Sequence, residues 1–246
     1  ALPPTTAATA TTRDADVRTG WVTWASVSVA ALAVAALAMD GSGRTTADAD
    51  PLPYRFLIGL PENTGSWPRL SPDGRKVVYG TTVEGRDLLW VREMDDVAGR
   101  PLPHTSARET PFWSPDSRTL AFFDEGKLKR ISVAGDSAAQ IITDAPHPKG
   151  GAWNHDGVLL FATDSGLSRV SPDGSGLAPV TTLDAARGEY LHSWPEFLTD
   201  GRRFLFVVRS SQPEHAGLYL TSLDTPHDRK RVMPDYSRAT YSSGYL

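Results

Sequence analysis

Cysteine is missing from this sequence altogether, so neither a disulfide scaffold nor a thiolate metal site is open to it. Any folded part must hold through its core. An excess of positive charge is missing as well: 25 Lys and Arg against 29 Asp and Glu leave a net charge of −4, which argues against nucleic-acid binding through a basic surface. Collagen-like periodicity is absent, so the 19 prolines and 21 glycines point to many short strands joined by turns rather than to long helices. Catalytic signatures are lacking too. There is no G-x-S-x-G nucleophile elbow and no P-loop, and GSGRTT at Gly41 lacks the third glycine of a dinucleotide or kinase loop, so it reads as linker.

What is present begins with a change of character at the N-terminal end. Residues 1–20 are rich in Thr, Ala and Pro, with too few large apolar groups to offset the entropy of ordering, and are expected to be a disordered linker. From Trp21 to Met39 no ionisable group occurs, and at ~1.5 Å per residue a helix of that length spans a bilayer core. A single transmembrane helix over 21–39 is therefore expected, with Trp21 and Trp24 at one interface. A signal peptide cut after Ala38 and a buried globular helix are the alternatives. Arg13 and Arg18 precede the run while only Arg44 follows it closely, which places the C-terminal part outside the cytoplasm. Residues 40–53 form a second linker.

The rest of the chain, 54–246, is repetitive. The string SPDG at Ser71 is a reversal between strands: Pro72 presets φ for a type I turn, Asp73 bonds backbone amides ahead of it, and Gly74 accepts positive φ. Approximations of it recur with their flanks, at Asp116, at Asp156 with Gly157, and at Asp200 with Gly201, spaced from Asp73 by 43, 40 and 44 residues in turn. Periods of 40 to 45 residues with strand-like content indicate propeller blades. Three residues before each aspartate stands a large apolar group expected in the blade core: Leu70, Trp113, Trp153 and Phe197. The expected fold is thus an all-β propeller of four four-stranded blades, about 54–105, 106–147, 148–188 and 189–238, open or incomplete. A fifth blade is expected to begin at 239–246, with its turn at Ser243. The second SPDG, at Ser171, falls out of period and reads as a hairpin turn within a blade.

Candidate binding residues are few. Glu189 and His192 in GEYLHSWPEF are a possible ligand or acid–base pair, but one Glu-x-x-His lacks the partners of a metal–carboxylate site, and the plainer reading is a loop feeding the fourth blade. His155 reads as a turn histidine. Trp113, Trp153 and Trp194 are either a carbohydrate-stacking rim or core, with the register favouring core. Loops TTVEGRD and RSSQPEHA read as long and DEG and DSG as tight, and a ligand is expected to contact such variable loops. No cofactor is implied.

The strings PRLSPDGRKVVY, LWVREMD, PFWSPDSRTLAFF, GKLKRI, GAWNHDGVLLFA and WPEFLTDGRRFLF resemble the TolB-type, WD40-like β-propeller at the C-terminal end of bacterial eukaryotic-like serine/threonine protein kinases. The resemblance runs from about Tyr54 to Leu246. It departs from the repeat at NHDG in the third unit and SPDS in the second. It implies a kinase domain, a linker, one transmembrane helix and an extracytoplasmic propeller, in that order. The implied role is binding a protein or small-molecule ligand from a single-pass position in the cytoplasmic membrane. The motifs H-R-D and D-F-G are nowhere in this chain, so no catalytic residue carries over. The propeller gate of a prolyl-oligopeptidase-like peptidase and a free periplasmic TolB-like scaffold are the rival expectations.

Overall fold

The structure, a computed structural model, describes Thr64 and residues 68–135 and 137–241, all within the unit Gly59–Leu246. The expected linkers, the helix over 21–39 and the turn at Ser243 lie outside the described residues. Among the described residues no helix is long and apolar enough to cross a membrane.

Among the described residues sixteen strands form four separate antiparallel meanders. The first blade contains β1 (Arg69–Leu70), β2 (Lys76–Val83), β3 (Arg86–Glu93) and β4 (Arg100–Pro101). The second contains β5 (Phe112–Trp113), β6 (Thr119–Asp124), β7 (Lys127–Ser132) and β8 (Gln140–Asp144). The third contains β9 (Gly151–Trp153), β10 (Leu159–Thr163), β11 (Gly166–Val170) and β12 (Ala178–Pro179). The fourth contains β13 (Glu189–Phe197), β14 (Arg203–Ser210), β15 (Gly217–Ser222) and β16 (Lys230–Met233). Each blade keeps its strands in chain order, as short loops between antiparallel neighbours dictate. The SPDG at Ser171 falls between β11 and β12, inside the third blade.

In the second and third blades both faces of the middle strand are apolar because each of these blades packs between two neighbours. In β6, Leu120 and Phe122 join Val78, Leu89 and Val91 of the first blade, while Ala121 and Phe123 join Leu159 and Phe161 of the third. In β10, Leu160 and Ala162 pack with Phe204, Phe206 and Tyr219 of the fourth. This period-two division turns one continuous hydrophobic run into two blade interfaces. Burying a side chain such as Phe122, fully inaccessible to solvent, contributes about 1.5–3 kcal/mol.

The repeated turn is also the place where blades are stitched together. In the first blade the Gly74 amide donates to the Ser71 carbonyl, and Asp73 accepts from the Ser71 hydroxyl and the Arg75 amide. The equivalent amides of Ser117, Gly157 and Gly201 donate to Ser114, Asn154 and Leu198. The fourth residue has φ of 72°, 60°, 80° and 67° in the four blades, a left-handed conformation that favours glycine, yet Ser117 adopts it. The Ser117 hydroxyl accepts the Asp73 amide of the first blade at 3.1 Å. Likewise Asn154, where the repeat has serine, sends its side-chain amide to the Gly201 carbonyl of the fourth blade at 2.7 Å. Serine for glycine in the second turn and asparagine for serine in the third thus both supply inter-blade contacts.

Two expectations need correction. Leu70 is not core: it is 48% exposed, because two-residue β1 is an inner strand whose Leu70 side has no apolar cluster against it among the described residues. TTVEGRD is not a long loop either. Strands β2 and β3 continue through it to a two-residue turn, Glu84-Gly85, with φ of 51° and 76°, the positive pair of a type I′ hairpin. The six residues between β14 and β15 do form a longer connection, with a 3-10 turn over Pro213–His215.

Candidate functional site

The innermost strands of all four blades, β1, β5, β9 and β13, face a common hub cavity of about 630 Å3. Trp113, Trp153 and Phe197 line it together with the exposed Leu70. Trp113 is 7% exposed and packs between the first two blades, its indole N–H donating to the Arg69 carbonyl at 3.0 Å. Trp153 and Phe197 are half-buried and lean on the second and third blade interfaces. Trp194 belongs elsewhere: it packs on the outer face of the fourth blade, under the Arg209 guanidinium, so the three tryptophans do not form one rim.

Charge enters the hub at one register position, four residues before each turn aspartate. There Phe112 and Ala152 are apolar, but the first blade has Arg69 and the fourth has Glu196. These two meet at 3.8 Å. Burial pushes the Glu196 carboxyl above its ordinary value, against the pull of Arg69, Arg238 and the Tyr241 backbone amide. Arg238 is pushed down to about 10 by burial and by the like charge of Arg69. The segment carrying Arg238 is held by Ala239 and Tyr241, which pack on Leu205, Val207 and Leu218 of the fourth blade.

Glu189 and His192 lie on strand β13 rather than in a loop, and they are side by side. A 3-10 turn over Ala185–Arg187, capped by the Asp184 carboxylate and closed by Gly188, delivers the chain into β13. Both side chains are fully buried, with His192 Nε2 3.1 Å from Glu189 Oε2. Thr181 Oγ1 from the third blade is 2.8 Å from His192 Nδ1, and Arg229 donates to Glu189 Oε1 at 2.7 Å. The Asp184 amide takes the second Glu189 oxygen at 2.9 Å. Burial lowers the His192 pKa, partly offset by Glu189. Every polar atom of the pair has a protein partner, and a guanidinium stands where a cation would have to bind. The arrangement is a polar lock between the third and fourth blades, beside a polar cavity of about 600 Å3 lined by Arg187, Asp228 and Arg229. Among the described residues no group of three or more His, Cys, Asp or Glu could hold a metal ion.

His155 lies in the third blade's turn, its ring against Gly201, where an added Cβ would come within 2.5 Å of Nε2. The turn residues Asp73, Asp116, Asp156 and Asp200 each sit in the first hairpin of their blade, at one end of the stack. Arg69, Glu196 and Arg238 escaped the sequence reading. An opposite-charge pair at equivalent repeat positions, apolar in the other two units, was the signal available for the first two.

No known protein-family profile matches the chain. A stretch of 111 residues is 31% identical to the uncharacterized peptidase YuxL of Bacillus subtilis, covering 40% of this chain and 17% of that protein. Among solved structures, a protein described as TolB from Agrobacterium tumefaciens has a TM-score of 0.58 at 17% identity, over 76% of this chain and 71% of its own. TolB from Acinetobacter baumannii has a TM-score of 0.52 at 15% identity, over 64% of this chain and 41% of its own. The fold is that of a TolB-like β-propeller. A fold of this kind does not fix a function, which resides in particular side chains.

Proposed function

We propose that this chain is a non-catalytic, membrane-tethered propeller that serves as the ligand-sensing or protein-interaction region of a bacterial receptor-type serine/threonine protein kinase, whose catalytic domain is not in this chain. The hub cavity carries the proposal. It is bordered by all four blades, has the volume typical of ligand sites, and combines apolar walls with a few convergent charges. A ligand held there touches the inner strands of several blades at once, so its binding energy couples to the packing of the whole stack. The order of polar linker, apolar run and propeller along the sequence supports the tether, with the propeller on the extracytoplasmic side.

A second reading rests on the peptidase similarity: the propeller would gate substrate access to a hydrolase domain. Sequencing the coding DNA on both sides of this segment separates the readings. An upstream frame with a glycine-rich loop, H-R-D and D-F-G is the expected result; a downstream G-x-S-x-G would favour the gate instead. A start codon directly before Ala1 and neither motif would leave a free or tethered scaffold.

A further inference from the structure

The fourth blade carries a further cavity, of about 580 Å3, which shares no lining residue with the hub among the described residues. It lies where the β14–β15 connection turns over Pro213 and Glu214, and its walls include Arg209 from β14, Arg231 from β16, and Tyr190 and Tyr236. Neither arginine has a carboxylate within 4.0 Å among the described residues, and Glu214, the acidic residue of the wall, pairs with neither. Arg229 of the lock between the third and fourth blades, half-buried like these two, has its carboxylate at 2.7 Å. The Arg209 guanidinium carbon stands 5.5 Å from the Tyr236 ring centroid and 5.9 Å from that of Trp194, contacts with ring faces that use none of its five N–H donors. Arg231 commits one donor, to the Pro213 carbonyl at 3.1 Å. Its Nε lies against Gly217 of β15, where an added Cβ would come within 2.9 Å, so the missing side chain makes room for it. The Nε atoms of both arginines are sealed from solvent without a hydrogen-bond partner among the described residues, and each head group is therefore already partly dehydrated. An oxyanion gains most from such a guanidinium.

We propose that this cavity binds a small aromatic oxyanion, a carboxylate or a phosphate monoester, with its anionic group on Arg209 and Arg231 and its ring against Tyr190 and Tyr236. The site does not depend on a ligand in the hub. A planar guanidinium offers parallel N–H donors that match two oxygens of either anion. A neutral ligand would leave both arginines without a counter-charge, and a metal cation would meet two like charges. The ring has a place to lie: Tyr190 and Tyr236 are 58% and 53% exposed, and Pro213 and Pro234 border the same cavity. The volume suits a small molecule.

Isothermal titration of the full 246-residue chain with benzoate, phenyl phosphate, neutral benzamide and acetate tests this. The better of the two aromatic anions is expected to bind at least about tenfold more tightly than benzamide or acetate, a difference of about 1.4 kcal/mol, and which of the two it is identifies the anionic group. Arg209→Gln and Arg231→Gln should each weaken that anion by at least about tenfold and leave benzamide unchanged; where one variant fails to melt cooperatively, the other decides. Arg69→Gln, in the hub, should leave the anion's affinity as it is. On the unaltered protein, raising sodium chloride from about 50 to about 500 mM should weaken the anion and not benzamide. Equal binding of anion and benzamide, or an affinity insensitive to salt, would overturn the oxyanion assignment, and acetate as tight as benzoate would overturn the aromatic one. A loss on Arg69→Gln as large as on Arg209→Gln would move the binding to the hub and refute this site. No binding of either aromatic anion at millimolar concentration refutes it outright, and leaves the hub reading untouched.

Discussion

Replacing Asn154 by serine restores the repeat's own residue and should nevertheless destabilise the protein. The Asn154 carbonyl oxygen accepts the Asp156 and Val158 amides at 3.1 and 2.7 Å, a role that a serine hydroxyl can fill, as Ser114 does for the Thr119 amide at 2.9 Å. Serine is too short for the third bond, from the Asn154 amide to the Gly201 carbonyl of the next blade. Gly201 is buried, so its carbonyl would be left without a partner, and the loss is about 1–3 kcal/mol. For a domain of this size that is a fall in melting temperature of about 3–9 °C. Asn154→Ala loses the turn's acceptor as well and should cost about 2–5 kcal/mol. Urea and thermal unfolding of the three proteins measure both steps. If Asn154→Ser melts with the wild type, the inter-blade bond contributes nothing; if it falls as far as Asn154→Ala, the loss lies in the turn and not between blades.

Other perturbations probe the remaining contacts. Trp113→Ala should cost about 3–5 kcal/mol in urea unfolding, since it empties the first blade interface; unchanged stability would contradict that packing. Gly150→Ala should destabilise by roughly 1–3 kcal/mol, because Gly150 has φ of 94° and a Cβ there would lie 2.9 Å from Trp194 Cδ1 and 3.3 Å from its Cα. Burial keeps the folded His192 harder to protonate than the unfolded chain, so stability is full above about pH 6.5 and declines as pH falls below it. His192→Gln should flatten that part of a plot of urea midpoint against pH, and an unaltered slope would assign the decline to other groups.

The fold class was legible because a propeller repeats its instructions. A turn aspartate, a preceding large apolar residue and a following run of strand formers return every 40 to 44 residues, and each blade meets the same demand for a reversal and two buried faces. Strand ends were less legible. Polar Thr82 and Asp87, both exposed, and the buried but polar Thr81 concealed that β2 and β3 extend to their hairpin, since none of them adds to the apolar alternation. Leu70 has the sequence context of Trp113, and only the absence of a packed neighbour distinguishes them. Hydrogen bonds such as Asn154 to Gly201, 47 residues apart, leave no periodic trace at all.

The hub shows how function can enter such a scaffold at little structural risk. Positions four residues before the turn aspartate lie on inner strands that border the hub cavity, where Phe112 and Ala152 are buried and Arg69 and Glu196 are half-buried. An apolar residue there, such as Phe112, extends the core, whereas Arg69 and Glu196 border the cavity while still pairing with Val78 and Leu205, the β13 ladder shifting register between Ser193 and Glu196. The blade interfaces, built from the alternate residues of the middle strands, are separate from that choice. The same repeat can therefore keep its fold while its inward-facing positions change, and that separation makes the charged pair, rather than the buried Glu189 and His192, the part of this propeller free to specify a ligand.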